Sequence, residues 1–140
     1  MQASAILQPV FVVGLLTMIM VIWMYATRIP AMIRLRIHPQ KGQDTKKLKE
    51  LLPDEVTRIS NNYNHLFEQP TLFYAIAISI AVLGHVDAIH VYSAWAYAVI
   101  RILHSLVQAT IDKVMFRFGL FSLSWIILSV MIIRETLALL

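Results

Sequence analysis

Two groups of polar side chains lie inside segments that are otherwise apolar enough for a membrane. The first group begins one apolar segment and consists of Arg58, Asn61, Asn62, Asn64, His65 and Glu68. The second group lies within another apolar segment and consists of Arg101, His104, Ser105 and Gln108. An ionised side chain near the bilayer centre costs about 2.5–3.5 kcal/mol on insertion scales, so such groups persist when they are paired, hydrated or functional. We therefore expect a functional site where the two segments meet.

Both groups have the spacing of one face of an α-helix. The first stripe, at i, i+4, i+7 and i+11, is Arg58, Asn62, His65 and Gln69. The second stripe repeats that spacing with Arg101, Ser105, Gln108 and Asp112. Side chains at these intervals share one helix face. We expect the two stripes to line one polar cleft, with His104 beside them.

The depths of the two groups predict an ion pair. At 1.5 Å per residue, Glu68 lies about 15 Å along its helix from Arg58, and Arg101 lies about 18 Å from Lys113. The two segments run in opposite directions, which places Glu68 and Arg101 at similar depth. We expect them to pair, because pairing reduces the insertion cost of both charges.

The segments that must position these residues are long and apolar. The chain has 140 residues, of which 59% are hydrophobic, and its mean hydropathy is +0.69. This is too apolar for an ordinary soluble domain. A spanning helix needs about 20 apolar residues, and four segments qualify, at about 6–27, 59–83, 91–111 and 114–137. We predict an all-α integral membrane protein, a four-helix domain covering residues 1–140 with a loop at 28–58.

The basic residues predict the orientation of this domain. Seven of them lie between the first two helices: Arg28, Arg34, Arg36, Lys41, Lys46, Lys47 and Lys49. Lys113 and Arg117 lie between the third and fourth helices, whereas the loop at 84–90 has neither Lys nor Arg. The positive-inside rule then places the basic loops and the polar cleft at the cytoplasmic side and both termini outside. Membrane topology and anionic lipid explain the net charge of +4 without nucleic acid.

Several local features give further expectations. Pro70 should distort the second helix, residues 45–52 have the pattern of a short surface helix, and Asp54 is a candidate cap. The first segment has no basic leader and no cleavage site, so we expect it to be retained. The chain has no cysteine, which excludes thiolate metal sites and cysteine nucleophiles. His65, Glu68 and His104 lack a recognisable metal-ligand spacing, so we expect no metal.

The order of these features resembles the MAPEG family, the membrane-associated proteins in eicosanoid and glutathione metabolism. The motifs are Arg58-x-x-x-Asn62, Arg101-Ile-Leu-His104-Ser105, and Arg117 sixteen residues after Arg101. The segment Asn61-Asn-Tyr-Asn-His-Leu-Phe-Glu-Gln-Pro70 is similar to a bacterial branch of the family. The resemblance covers nearly the whole chain and implies a bacterial inner-membrane protein.

The resemblance implies a homotrimer with glutathione sites between subunits, near the cytoplasmic face, and a lipophilic electrophile arriving from the bilayer. Arg117 would stabilise the glutathione thiolate, which is reasonable because a nearby cation lowers the pKa of a thiol. The residues that would bind glutathione or line its site are Arg58, Asn62, His65, Glu68, Arg101, His104, Ser105 and Gln108. The implied activity is that of a glutathione-dependent transferase or peroxidase.

Two departures from the family pattern keep an alternative open. The family has a glutamate three residues after the asparagine, where this chain has His65. It has an aromatic hydroxyl seven residues after the helix-three arginine, where this chain has Gln108. Because the family includes a non-catalytic lipid-binding activator, the fold alone does not establish chemistry. The alternatives are a lipid-binding protein or accessory subunit of a membrane complex, and a small transporter or channel.

Overall fold

The computed structural model describes all 140 residues as a helical protein without strands. Its elements are α1 Ala3–Arg34, a 3₁₀ helix Pro39–Gln43, α2 Thr45–Leu51, α3 Asp54–His65, α4 Gln69–Leu83, α5 Ala88–Ala109 and α6 Val114–Leu139. The all-α class expected from the sequence is therefore confirmed.

Three stretches of helix are long and apolar enough to cross a membrane. They are α1, the α3–α4 stretch Asp54–Leu83, and α6. At 22 residues α5 has the length of a span, but its buried face carries Arg101, His104 and Gln108, and it is not among the three. One apolar face of α5, with Ala94 and Ala98, is buried against the other helices, whereas Tyr92, Val99 and Leu103 are exposed.

The main core joins all the long helices at the end of the bundle away from the basic loop. Ile6 and Val13 of α1, seven residues apart, are completely buried with Phe73 of α4 and Leu128 of α6. The rings of Phe73 and Tyr97 stack with their centroids 4.2 Å apart. Burying such side chains fixes the helices around α5.

The α3–α4 stretch breaks in front of Pro70, as the sequence predicts. In an unbroken helix the Pro70 ring would collide with the carbonyl of Leu66. Instead α3 ends at His65 and α4 restarts at Gln69, with Glu68 at φ −94° and ψ −99°. The break changes which side chains of the polar segment face inward.

The region 28–58 is more ordered than a simple connector. Helix α1 continues to Arg34 rather than ending near residue 27, and α2 forms at Thr45–Leu51 as its pattern predicts. A small apolar cluster of Ala31, Leu48, Leu52 and Val56 binds this region to α1 and α3. The cap at α3 differs from expectation, because Asp54 lies in the first turn and Pro53 occupies the N-cap.

Candidate functional site

An open cleft lies between the end of α3, the C-terminal part of α5 and the start of α6. Its volume is about 200 Å³, and its lining residues are His65, His104, Val114, Arg117, Phe118 and Phe121. The α6 residues in this set recur at helical spacing, so one face of α6 forms a whole wall. The cleft combines one arginine and two imidazoles with an apolar surface.

Arg117 stands at the N-terminal end of α6. It lies in the first turns of the helix and forms an ion pair with Asp112 in the preceding turn. Asp112 adopts a left-handed conformation at φ 49°, one that aspartate tolerates better than most residues. The free N–H groups and positive dipole end of a helix favour an anion, so this wall has positive character beyond the arginine itself.

The two imidazoles of the cleft belong to neighbouring helices, His65 to α3 and His104 to α5, and their rings are in contact. The rings of His65 and His104 meet edge to face with centroids 6.3 Å apart. The ring of His104 also lies near that of Phe121, with the two centroids 6.5 Å apart. His65 Nδ1 lies 3.1 Å from Glu68 Oε2, and both side chains are well exposed, at 41% and 62%.

The predicted ion pair between Glu68 and Arg101 is wrong. The break before Pro70 turns Glu68 outward to His65 and turns Gln69 inward. Arg101, 1% exposed, donates from Nη1 to Gln69 Oε1 at 3.4 Å. Depth along an unbroken helix pointed to Glu68, which is one residue before the partner that Arg101 has in the folded chain.

Three other residues expected at the site are buried behind the cleft rather than on its surface. Asn62 and Ser105 are completely buried, and Gln108 is only 1% exposed. Polar atoms of all three lack hydrogen-bond partners within the chain, as does Nδ1 of His104. Buried polar atoms normally find partners, so this region has unused hydrogen-bonding capacity.

Arg58 lies two turns before His65 on α3, towards the basic end. Its Nε is buried without a partner, and it does not line the cleft. The nearby Asn61 accepts a hydrogen bond from Lys49 Nζ at 2.7 Å. This contact ties α2 to α3.

The structure adds residues that the sequence reasoning missed. Phe118 and Phe121 form the apolar wall, and their spacing from Arg117 was the available signal. Tyr97 and Ser124 join Gln69 behind the cleft, and no sequence pattern linked them. The histidine, aspartate and glutamate side chains form no group able to hold a metal ion.

Comparison with known proteins identifies one relationship. The model of the MAPEG family matches residues 6–136, nearly the whole chain. The searches of curated proteins and of solved structures found no match. With three membrane-length helices and a family match of this extent, the chain is an integral membrane protein that belongs to the MAPEG family.

Proposed function

We propose that this protein binds glutathione at the α6 cleft and transfers its thiolate to lipophilic electrophiles, or uses it to reduce lipophilic peroxides. The observation that carries the proposal is the cleft itself, where Arg117 and the start of α6 lie beside Phe118 and Phe121. A cation and helix N–H groups favour a thiolate. The phenylalanines offer a surface for an apolar co-substrate.

In the transfer reaction, the thiol first loses its proton to water. The thiolate sulfur then forms a bond to the electrophilic carbon, and the leaving group departs with its electron pair. Arg117 would stabilise the sulfur anion before attack, and Arg58, Asn62 and His104 would hold the carboxylates and amides of the tripeptide. The roles of all four residues follow the family resemblance, and of these residues Arg117 and His104 line the cleft.

The size of the cleft supports a site shared between subunits. Its volume of about 200 Å³ is below the range of about 300–1,000 Å³ usual for ligand pockets. One chain therefore holds part of a tripeptide, and a neighbouring chain would complete the walls. We propose a homotrimer in which α5 acts as a fourth span.

The distribution of charge supports the proposed orientation. Lys46, Lys47 and Lys49 of α2 lie at the same end of the bundle as the start of α3. The positive-inside rule places that end, with the cleft, at the cytoplasmic face and both termini outside. We propose a bacterial inner membrane as the location.

Thiolate absorbance tests the proposed function directly. Glutathione added to the detergent-purified protein at neutral pH should show the ultraviolet band of a bound thiolate, and Arg117→Ala should remove that band. Arg34→Ala removes an exposed arginine at the end of α1 and should leave the band unchanged. Absence of the band from the wild-type protein at millimolar glutathione would refute the proposal, and a monomeric mass in detergent would refute the trimer.

A non-catalytic role is the second candidate, and the burial pattern favours it. Asn62, Arg101 and Gln108, which the resemblance assigns to the glutathione site, are buried inside the chain rather than exposed to the cleft. A protein with this arrangement would bind a lipid or serve as an accessory subunit. Binding of a phospholipid without any glutathione thiolate would support this alternative.

A further inference from the structure

Behind the cleft, one amide oxygen gathers three donors from two other helices. Gln69 Oε1 accepts from Ser124 Oγ at 2.8 Å, from the Tyr97 hydroxyl at 3.3 Å and from Arg101 Nη1 at 3.4 Å. All four residues are buried. The break before Pro70 places Gln69 in this position, at the first residue of α4.

The orientation of the amide follows from the chemistry of Arg101. A guanidinium group only donates hydrogen bonds, so the oxygen of Gln69 must face it. The amide nitrogen of Gln69 then has no hydrogen-bond partner, although it is buried. The hydroxyl of Ser124 has one hydrogen, shared between Gln69 Oε1 and the carbonyl of Phe121 at 2.7 Å.

The guanidinium group of Arg101 therefore donates its hydrogen bond to a neutral amide rather than to a carboxylate. No carboxylate lies within 4 Å of it, since the five ion pairs of the structure involve other residues. Its Nε and Nη2 are also unpaired. A buried cation of this kind is costly unless paired, and a glutamate at position 69 would have supplied a counter-charge.

The unpaired charge lies close enough to the cleft to act on it. Arg101 and His104 are three residues apart on α5, a separation of about 5–6 Å between Cβ atoms, and His104 lines the cleft. Salt screens buried charges less than exposed ones. Arg117 in the cleft already has a carboxylate partner in Asp112, whereas Arg101 has none within 4 Å.

We infer that Gln69 is a positioning residue that holds Arg101 through a neutral oxygen, leaving its positive charge free to favour an anionic group in the cleft. The inference deepens the proposed function and rests on it, since the anion would be the thiolate or a carboxylate of glutathione. Arg101 acts through its field and need not touch the ligand.

Gln69→Glu separates this role from a structural one. The new carboxylate can accept from the same three donors, and it replaces an amide nitrogen that has no partner. Thermal stability should therefore be retained or raised, because charge-assisted hydrogen bonds are stronger than neutral ones. The thiolate band at fixed pH and glutathione concentration should fall about tenfold, as expected for loss of one uncompensated charge at this range.

Two further variants complete the experiment. Gln43→Glu makes the same chemical change at an exposed residue of the 3₁₀ helix and should not alter the thiolate band. Arg101→Gln removes the cation itself and should reduce the band as much as Gln69→Glu does. This second variant decides the question if the glutamate variant fails to fold.

The outcomes distinguish this inference from the proposed function. A band of wild-type size in a folded Gln69→Glu protein, or in Arg101→Gln, overturns the inference and leaves the proposed function standing. A wild-type protein without the band overturns the proposed function and, with it, the inference. A reduced band in a Gln69→Glu protein of unchanged melting temperature supports both.

Discussion

Adjacent residues Glu68 and Gln69 have opposite roles although either can accept hydrogen bonds. Glu68 is 62% exposed on its side chain and contacts His65, whereas Gln69 is buried and contacts Arg101. Exposed ion pairs contribute about 0–1 kcal/mol. A buried donor left without its acceptor costs about 1–3 kcal/mol. We therefore expect Gln69 to contribute more to the stability of the protein than Glu68 does.

Substituting each residue in turn tests this difference. Glu68→Gln should change the free energy of unfolding by less than about 0.5 kcal/mol, as is usual for surface changes. Gln69→Leu should lower it by about 1–3 kcal/mol, because Arg101 and Tyr97 lose their acceptor. Thermal unfolding in one detergent measures both, and a larger loss from Glu68→Gln than from Gln69→Leu would contradict the structure.

At the scale of elements, the ends of the helices determine how the polar face is presented. Helix α4 ends at Gly84, which adopts φ 73°. The His85 N–H then reaches back to the carbonyl of Ile80 at 3.1 Å, the hydrogen bond of a glycine-terminated helix. This turn leads the chain from α4 towards α5.

Two glycine substitutions should differ in their effect on stability for a conformational reason alone. A Cβ at Gly84 or at Gly14 would meet no atom within 4 Å. Gly84→Ala should lose about 1–2 kcal/mol, since a left-handed conformation strains an L side chain. Gly14→Ala, inside α1, should be neutral or gain about 0.5–1 kcal/mol. Equal melting temperatures for the two variants would contradict this explanation.

At the scale of the whole molecule, a second polar cluster holds together the end of the bundle opposite the basic loop. Asp87 caps α5 by accepting from the His90 N–H at 2.8 Å and forms two hydrogen bonds with Arg134 of α6, at 2.7 and 3.1 Å. Nearby, His85 Nδ1 lies 2.6 Å from the buried Glu135. These contacts join the α4–α5 turn to the last turns of α6.

The cluster predicts that this end of the protein is sensitive to acid. The hydrogen bonds from Arg134, and then from the His90 N–H, hold the pKa of Asp87 well below its ordinary value of 3.8. A lowered folded-state pKa adds stability above the unfolded pKa, and that stability is lost as pH falls through the folded-state value. Because the Asp87 side chain is 46% exposed, solvent screening makes the contribution modest.

Melting temperatures of variants measure this contribution. Asp87→Asn should lower the melting temperature at pH 7, and the difference from wild type should shrink as the pH falls below about 4. Glu50→Gln removes an exposed carboxylate that forms no ion pair and serves as the control. A constant difference between wild type and Asp87→Asn across this range would show that Asp87 acts without its charge.

The amino-acid sequence by itself determined the helical class, the membrane setting and the family. Those properties depend on length, hydropathy and short motifs, all of which involve residues close together in the sequence. It also indicated the right polar segments, because Arg101, His104 and Arg117 lie where two apolar segments and a basic turn meet.

The tertiary structure decided which side chains touch. The steric break at Pro70 rotates the following helix, so Gln69 rather than Glu68 faces Arg101, and packing buries Asn62 and Gln108 behind the cleft. Spacing along an assumed continuous helix cannot show such a rotation, since it arises where one backbone hydrogen-bond pattern ends and another begins.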